Sequence, residues 1–435
     1  MRVAVVGGGI SGLACAYYLK KAGLEPLVFD PTPGGLIGSV TVDGCRLETG
    51  PESWLVSKPW AEQLIRELGL GDEIYGSNDP MRRTYILRHG SFETLPEGLQ
   101  MVVPTRLLPI LKSKLFTWDT KYRMATEIFH NPGTLPDRSV AEFVADHFGE
   151  EAVDYLAEPL LAGVYGGSPA NLSAPSVLPK FVEYEQRYGS VVVGALRAKK
   201  APDGKPVFYS LRNGMGTLTD ALRARLDIIP APVESIQLTE NWSVFAAGAW
   251  MAFDRIVLAC GANHAAPLVA PVDPVSSQLL ASIPHTHSCI WSMGYHRAEI
   301  DHPLDAFGFL IPARERRTIM ACTWIGTKWL GRVPSDKAVL RCFSTELDVP
   351  QEAVEEDLRR LMGITAKPVF AFRNQCAGAM PQYSVGHTVR VAELEARVSE
   401  IPGLYLAGNA YHGIGIPDCV RSGKLAADAI ARSRL

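Results

Sequence analysis

The chain has 435 residues, 47% of them apolar and 20% charged, enough for two or three domains with a large core. A formal net charge of −3 gives no basis for binding nucleic acid, and the basic runs "RAKKAPDGK" (Arg197–Lys205) and "RERR" (Arg314–Arg317) read as solvated loops. Eight scattered cysteines form no C-x-x-C pair and no His/Cys spacing for a tetrahedral metal, so no metal is expected and a reducing cytosol fits best.

The first element is a short buried strand, "VAVV" (Val3–Val6). Its apolar run breaks at glycine, so the N-terminus reads as no signal peptide, and no stretch is long and apolar enough for a membrane span. Gly7-Gly8-Gly9-Ile10-Ser11-Gly12 then fits G-x-G-x-x-G and opens a helix that ends near Gly23. In that pattern Gly7 permits a tight turn, Gly9 lets a diphosphate approach the backbone and Gly12 lets helix pack on strand, with Ser11 in the same turn. The diphosphate sits on the positive helix N-terminus. "EPLVFD" is a second strand, ending in Asp30 eighteen residues after Gly12, where an acid accepts hydrogen bonds from an adenosine ribose. Strand, turn, helix and acid together predict a dinucleotide site. A glycine-rich turn in any parallel sheet is the plain alternative.

A second glycine pair, Gly34 and Gly35, follows, then a hairpin-like alternation and "ETGP". From here the chain resembles the flavin monoamine oxidase superfamily, whose members follow the ribose acid with paired glycines and an E-x-G-P segment. It departs from them in lacking the arginine that usually precedes the pair. The resemblance implies FAD as cofactor and a contact from Gly35.

Next come a hairpin, "RRTYILRHGSFETLP", and "EGLQMVVPTRLLPILKSKLF", which reads equally as a surface-lying membrane-contact segment and as a buried helix. "SVAEFVADHFGEEAVDYLAEPLLAGVY" has apolar positions at helical spacing, with Ser139 as N-cap. "LRNGMGTLTDALRARL" is a glycine turn into a helix, followed by the strands "APVESIQL" and "FDRIVLACGA". In the resembled superfamily this excursion completes the FAD domain, and Val233 offers backbone hydrogen bonds to the adenine. Strands follow at "HSCIWSMGYH", "RTIMACTWI" and "KAVLRCFS", with a helix at "QEAVEEDLRRLMGI".

The C-terminal "GLYLAGNAYHGIGIPDCVRSG" is a strand, a glycine-dense turn and a helix start. The resemblance assigns it to the isoalloxazine, with Gly408, Asn409, Gly413, Gly415 and Ile416 against the cofactor. The helix that begins near Pro417 and Asp418 then directs its positive end at the ring. Capping explains Asp418 equally well.

Three long stretches, "EPLLAGVYGGSPANLSAPSVLPKFVEYEQRYGS", "AFGFLIPARERRTIMACTWIGTKWLGRVPSDKAVLRCF" and "MPQYSVGHTVRVAELE", narrow the likeness to the protoporphyrinogen oxidase family, including its bacterial coproporphyrinogen-oxidising branch. That resemblance implies oxidation of a porphyrinogen in three flavin cycles for haem biosynthesis, with O2 as acceptor and hydride passing to flavin N5. No catalytic side chain is assigned. Lys58, Gly163 and Leu310 match substrate-binding positions; a surface lysine, a helix-packing glycine and a strand-core leucine are their plain readings. His387 and His412 read as structural more readily than as bases, neither having an evident acidic partner. Trp324, Trp329 and Tyr383 read as core aromatics.

Two alternatives stand beside this. An amine oxidase shares the FAD domain and would use Lys328, although Gly415 replaces the aromatic of its flavin turn. A non-enzymatic binder on the GDP-dissociation-inhibitor scaffold would do without flavin. The expected architecture is α/β and α+β: a discontinuous Rossmann-like FAD domain (1–75, 205–275 and 388–435), a mainly helical insert (76–204) that leaves membrane contact open, and a mixed-sheet substrate domain (276–387). The expected location is cytoplasmic, with attachment to the inner face of the cell membrane left open, and oligomeric state is not predicted.

Overall fold

The computed structural model describes residues 1–130, 137–198 and 204–433. Of the basic stretch Arg197–Lys205, positions 199–203 lie outside the described residues.

At its centre is a parallel sheet of five strands: β1 (Arg2–Val6), followed by helix α1 (Ile10–Lys21), then β2 (Glu25–Phe29), β3 (Ile228–Ile229), β4 (Arg255–Leu258) and β5 (Leu404–Leu406), with helix α2 (Ile416–Arg432) closing the chain. The order across the sheet is β3-β2-β1-β4-β5, and Val3–Val6 pair with Arg255–Leu258. Strand alternation sorts the side chains. Val3, Val5 and Val257 face α1 and α2, packing with Leu13, Leu19 and Val420. Ala4, Val6, Ile256 and Leu258 face the other way, against Trp242 and Phe253 of a three-stranded antiparallel sheet and the helix His387–Glu400. A sheet covered on both faces requires the near-continuous apolar runs seen in β1 and β4.

The second sheet has seven strands, in the order Phe370–Pro381, His285–His296, Lys337–Ser344, Ala321–Trp324, Gly308–Leu310, Thr84–Arg88, Ser91–Thr94. The hairpin Thr84–Thr94 forms as its sequence predicts, but it does not belong to the helical insert. Thr84–Ile86 pair in parallel with Gly308–Leu310, the one parallel step in a sheet that is otherwise antiparallel. The pairing partner lies over two hundred residues away, beyond any local signal.

Helices between the hairpin and Arg197 build their own apolar core around Phe143, Phe148, Leu156 and Leu161. Ser139 caps Val140–Phe148 through a complete capping box with Glu142, as expected. The long helical pattern breaks at Gly149, whose φ of 87° ends that helix before the chain resumes at Glu150. "EGLQMVVPTRLLPILKSKLF" is not one helix: Leu99–Gln100 and Val103–Pro104 pair as strands, and only Leu107–Lys112 is helical. "RERR" is solvated as expected at Arg314 and Arg317, which are exposed, but two of its arginines are also paired. Arg314 pairs with Asp154 at 2.8 Å and Arg316 with Glu158 at 2.7 Å, because acids of the helical region lie across from it. All eight cysteines are free, seven of them buried.

Candidate functional site

The glycine turn after β1 is set by contact with neighbouring backbone. Gly7 has φ 108°, and a Cβ on it would stand 2.5 Å from the Cys260 nitrogen. A Cβ on Gly12 would stand 1.9 Å from the Gly7 carbonyl oxygen. Gly9 differs, because nothing lies within 4 Å of where its Cβ would be. That open space belongs to a cavity of 760 Å³. Gly9 is the N-cap of α1 in extended conformation, no side chain caps the helix, and no acid occupies its first turn. The helix therefore presents free amides to the cavity, the arrangement that receives phosphate.

Asp30 ends β2 beside this turn. Its carboxylate accepts from Gly8 N at 2.6 Å and Thr32 N at 2.7 Å, which fixes both oxygens at the cavity wall. Gly35 closes the turn from the far side; its own Cβ would meet Gly9 Cα at 3.0 Å.

The same cavity runs to the other end of the chain. Helix α2 starts at Ile416 with Gly415 as N-cap, again extended and again with no side-chain cap. The capping role open to Asp418 is therefore not the one it plays. Gly408, Asn409, Ile414 and Ile416 line the wall here, and Gly423 brings α2 so close to α1 that a Cβ would stand 2.1 Å from Ser11 O. Two helix N-termini from opposite ends of the sequence thus open on one space.

The expected cofactor residues divide into wall and support. Gly7, Gly9, Ser11, Asp30, Gly35, Val233, Gly408, Asn409 and Ile416 line the cavity, whereas Gly12, Gly413 and Gly415 do not. Gly12 is spent on helix-to-turn packing, and the other two flank the wall residue Ile414. Sequence reasoning missed Cys260, Asn263, His264 and His285, which close the cavity beyond β4. Cys260 follows the apolar run of β4 and carries no local cue beyond burial, which pushes its thiol up to about 12.

A side chain from another element holds the C-terminal turn. Tyr383 donates to Asn409 O at 2.6 Å and accepts from Gly413 N at 2.7 Å. His387 stacks on the Tyr383 ring at 4.1 Å, and its Nε2 lies 3.2 Å from Tyr411 O. Burial holds its pKa down at about 4. His412 does have an acid, Glu395 at 2.6 Å, which raises its pKa. Neither histidine lines the cavity. Trp324, Trp329 and Tyr383 are all buried, as expected of core aromatics.

Of the expected substrate residues, two come together. A Cβ on Gly163 would find only Leu310 Cδ2, at 3.7 Å. Leu310, at the end of its strand, and the cavity-lining Ile414 both pack against the helical core, while Leu310 and Gly163 themselves do not line the cavity. Lys58 is elsewhere engaged: its Nζ lies 2.6 and 2.8 Å from the two Asp418 oxygens. Lys328 is bound to Glu52, which also receives Arg341; burial alone would raise that carboxyl, but these two cations and the nearby charge of Arg332, itself paired with Glu48, hold it at about 2. Lys328 does not line the cavity.

A single cluster has metal-ligand character among the described residues: His130, Asp146, His147 and Glu185 bring donor atoms within 4.8 Å of one another. Arg138 donates to both Asp146 and Glu185, and His147 lies between Glu127 and Glu185, so the cluster already contains its own cations.

The family model for flavin-containing amine oxidoreductases matches residues 10–431. The chain belongs to that family. Its cofactor is FAD, and the cavity fits it: a diphosphate-type helix start and an acid at one end, a second free helix start at the other. Among curated proteins of this family, the coproporphyrinogen III oxidase of Bacillus subtilis (strain 168) is 30% identical over 98% of this chain and 96% of its own length. The mitochondrial protoporphyrinogen oxidase of Nicotiana tabacum is 26% identical over 99% and 94%. A crystal structure from Exiguobacterium sp. 255-15, provisionally named a protoporphyrinogen oxidase, superposes with a TM-score of 0.87 at 28% identity, over 99% of both chains. The expected fold, a Rossmann-like FAD domain joined to helices and a mixed sheet, is the fold of this flavin-containing family.

Proposed function

We propose that this flavoenzyme oxidises a porphyrinogen, proto- or coproporphyrinogen, to the porphyrin with O2 as acceptor. The observation that carries the reading is the apolar contact of Gly163 with Leu310, between the helices and the seven-stranded sheet, on the same helical core that the cavity-lining Ile414 packs against. Near-full-length similarity to porphyrinogen oxidases supports it.

Bound FAD supplies the hydride acceptor. The chain's own work is then positional: α1 and the Asp30 turn hold the nucleotide half, α2 and the Tyr383-braced turn hold the ring half, and Leu310 and Gly163 receive a flat apolar substrate. Aromatisation drives the reaction, so no catalytic triad is required. Cys260 and Cys419 in the wall are kept as thiols by burial, each pushed up to about 12, and so resist the peroxide that O2 would yield.

The test is side-by-side turnover of both porphyrinogens under air, followed by porphyrin fluorescence and peroxide release, with a primary amine as control. Porphyrin from either porphyrinogen supports the reading. Turnover of the amine alone would replace it with the amine oxidase alternative, which the burial of Lys328 against Glu52 disfavours.

No helix among the described residues is long and apolar enough to cross a membrane. We propose a cytosolic protein that attaches peripherally through the segment 107–129. There Trp118 is 72% and Phe129 81% exposed, with Leu108 and Tyr122 near them and basic Lys112, Lys114 and Arg123 alongside. Co-sedimentation with vesicles rich in anionic lipid, lost in a Trp118→Ser/Phe129→Ser variant, checks this; a wild type that stays in the supernatant overturns it.

A further inference from the structure

Both helix starts at the cavity are uncapped, but their first turns differ in charge. Helix α1 has no acid there. Helix α2 has one, Asp418, at its third position. An acid at that position stabilises an isolated helix, yet it also subtracts from the positive field that the free amides direct outward. Asp418 is close to the cavity rim: Cβ atoms built on Gly413 and Gly415 would lie 2.8 and 3.1 Å from its Oδ2. The side chain is only 11% exposed, so solvent screens it weakly.

Lys58 answers that charge. It comes from the turn after the strand Trp54–Leu55, 360 residues away in sequence, and places Nζ on both carboxylate oxygens. With the ion pair intact, the end of α2 faces the cavity with its helix polarity uncancelled. Without Lys58, a part-buried negative charge sits beside that end.

We infer that Lys58 is a positioning residue that sets the electron affinity of the bound flavin by neutralising Asp418, and is not a ligand of the substrate. This rests on the FAD assignment alone and holds whatever the substrate proves to be. Reduction places negative charge on the ring, so an unneutralised Asp418 disfavours the reduced form, and removal of Asp418 does not.

The experiment is an equilibrium reduction of FAD-loaded protein against a reference dye, read as the ratio of reduced to oxidised flavin at a fixed dye ratio. In Lys58→Met that ratio is expected to fall about fivefold, the scale of one charge at a helix end. Asp418→Asn should hold or raise it, the double variant should return near wild type, and Lys58→Arg should match wild type. Ratios that fall alike in Lys58→Met, Asp418→Asn and the double variant would make the pair a mechanical tether and overturn the inference, as would no change in Lys58→Met. If Lys58→Met releases FAD, Asp418→Asn decides: a fall in its ratio refutes the idea. A protein that shows these shifts but does not turn over porphyrinogen would refute only the substrate reading.

Discussion

Helices α1 and α2 begin alike and are secured differently. Each starts from an extended glycine, Gly9 with φ −69° and Gly415 with φ −72°, and each offers free amides to the same cavity. At α1 the turn is held by backbone against backbone: Gly7 on Cys260, Gly12 on Gly7, Gly7 N on Phe29 O at 2.9 Å. The turn before α2 is held by side chains: Tyr383 to Asn409 and Gly413 and Lys58 to Asp418, both sent from other elements, and Ser422 of α2 itself to Gly408 N. On the proposed placement of FAD, backbone contact gives an all-or-nothing site for the nucleotide, and side-chain contact gives an adjustable one for the ring. An adjustable end suits the part of a cofactor whose chemistry has to be tuned.

The sharpest way to break the comparison is to add atoms where backbones touch. Gly12→Val forces a Cβ to within 1.9 Å of Gly7 O and should cost more than about 3 kcal/mol, with purified protein colourless if it folds at all. Absorbance near 450 nm and thermal melting read this directly. A yellow, stable Gly12→Val protein would mean that the α1 turn is as pliable as its counterpart.

Acid should separate the two ends in the opposite sense. His387 supports only the C-terminal turn, and burial holds its folded pKa near 4 against about 6.5 unfolded. The unfolded chain therefore binds the proton first. Stability from this group is intact above about pH 6.5 and is lost as pH falls to and below 4, by roughly 3 kcal/mol in total. Urea midpoints between pH 7 and 5 should fall, and His387→Gln should flatten the slope; an unchanged slope in the variant would remove His387 from the account.

At the nucleotide end, Asp30→Ala removes two hydrogen bonds to backbone amides and the expected ribose acceptor. Loss of charged acceptors of this kind costs about 1.5–3 kcal/mol, so FAD should bind roughly tenfold to a hundredfold more weakly in a protein that still folds. Equilibrium dialysis with FAD measures it. An affinity within a factor of two of wild type would leave α1 holding the diphosphate alone.

The same contrast explains what the sequence discloses. Gly7, Gly9, Gly12 and Asp30 lie within one β-α-β unit, where spacing is geometry, and their places in the turn could be read without a structure. The glycines from Gly408 to Gly415 marked a second turn for the same reason. What braces that turn was not legible: Tyr383, His387 and Lys58 arrive from other elements, and nothing local distinguishes them from core aromatics, a structural histidine or a surface lysine. The acid beside His412 is not legible locally, because Glu395 lies on the preceding helix, seventeen positions away. His264 and His285 reach the cavity only once two sheets have been assembled. The hairpin at Thr84–Thr94 was visible as a local alternation, while its parallel partner at Gly308–Leu310 was not.

Tyr383→Phe sharpens the comparison with the smallest change. The ring keeps its stacking on His387 and its buried packing, and only the hydroxyl is lost. That hydroxyl both donates to Asn409 O and accepts from Gly413 N, so the variant leaves one acceptor and one amide of the turn without a partner. Burial pushes the phenol's pKa up, so it stays protonated and able to donate throughout the accessible pH range. The expected cost is about 1–2 kcal/mol, the scale of leaving one amide and one acceptor without a partner. If the turn is held by side chains, the loss should appear as a lower melting temperature of the FAD-loaded protein and a few-fold weaker FAD binding, with the absorbance spectrum of the bound ring altered. Melting and binding that match wild type would show that Ser422, Asn409 and the close packing of Gly423 on Ser11 suffice to hold the turn without the Tyr383 hydroxyl, and the turn would then need no brace from that neighbouring element.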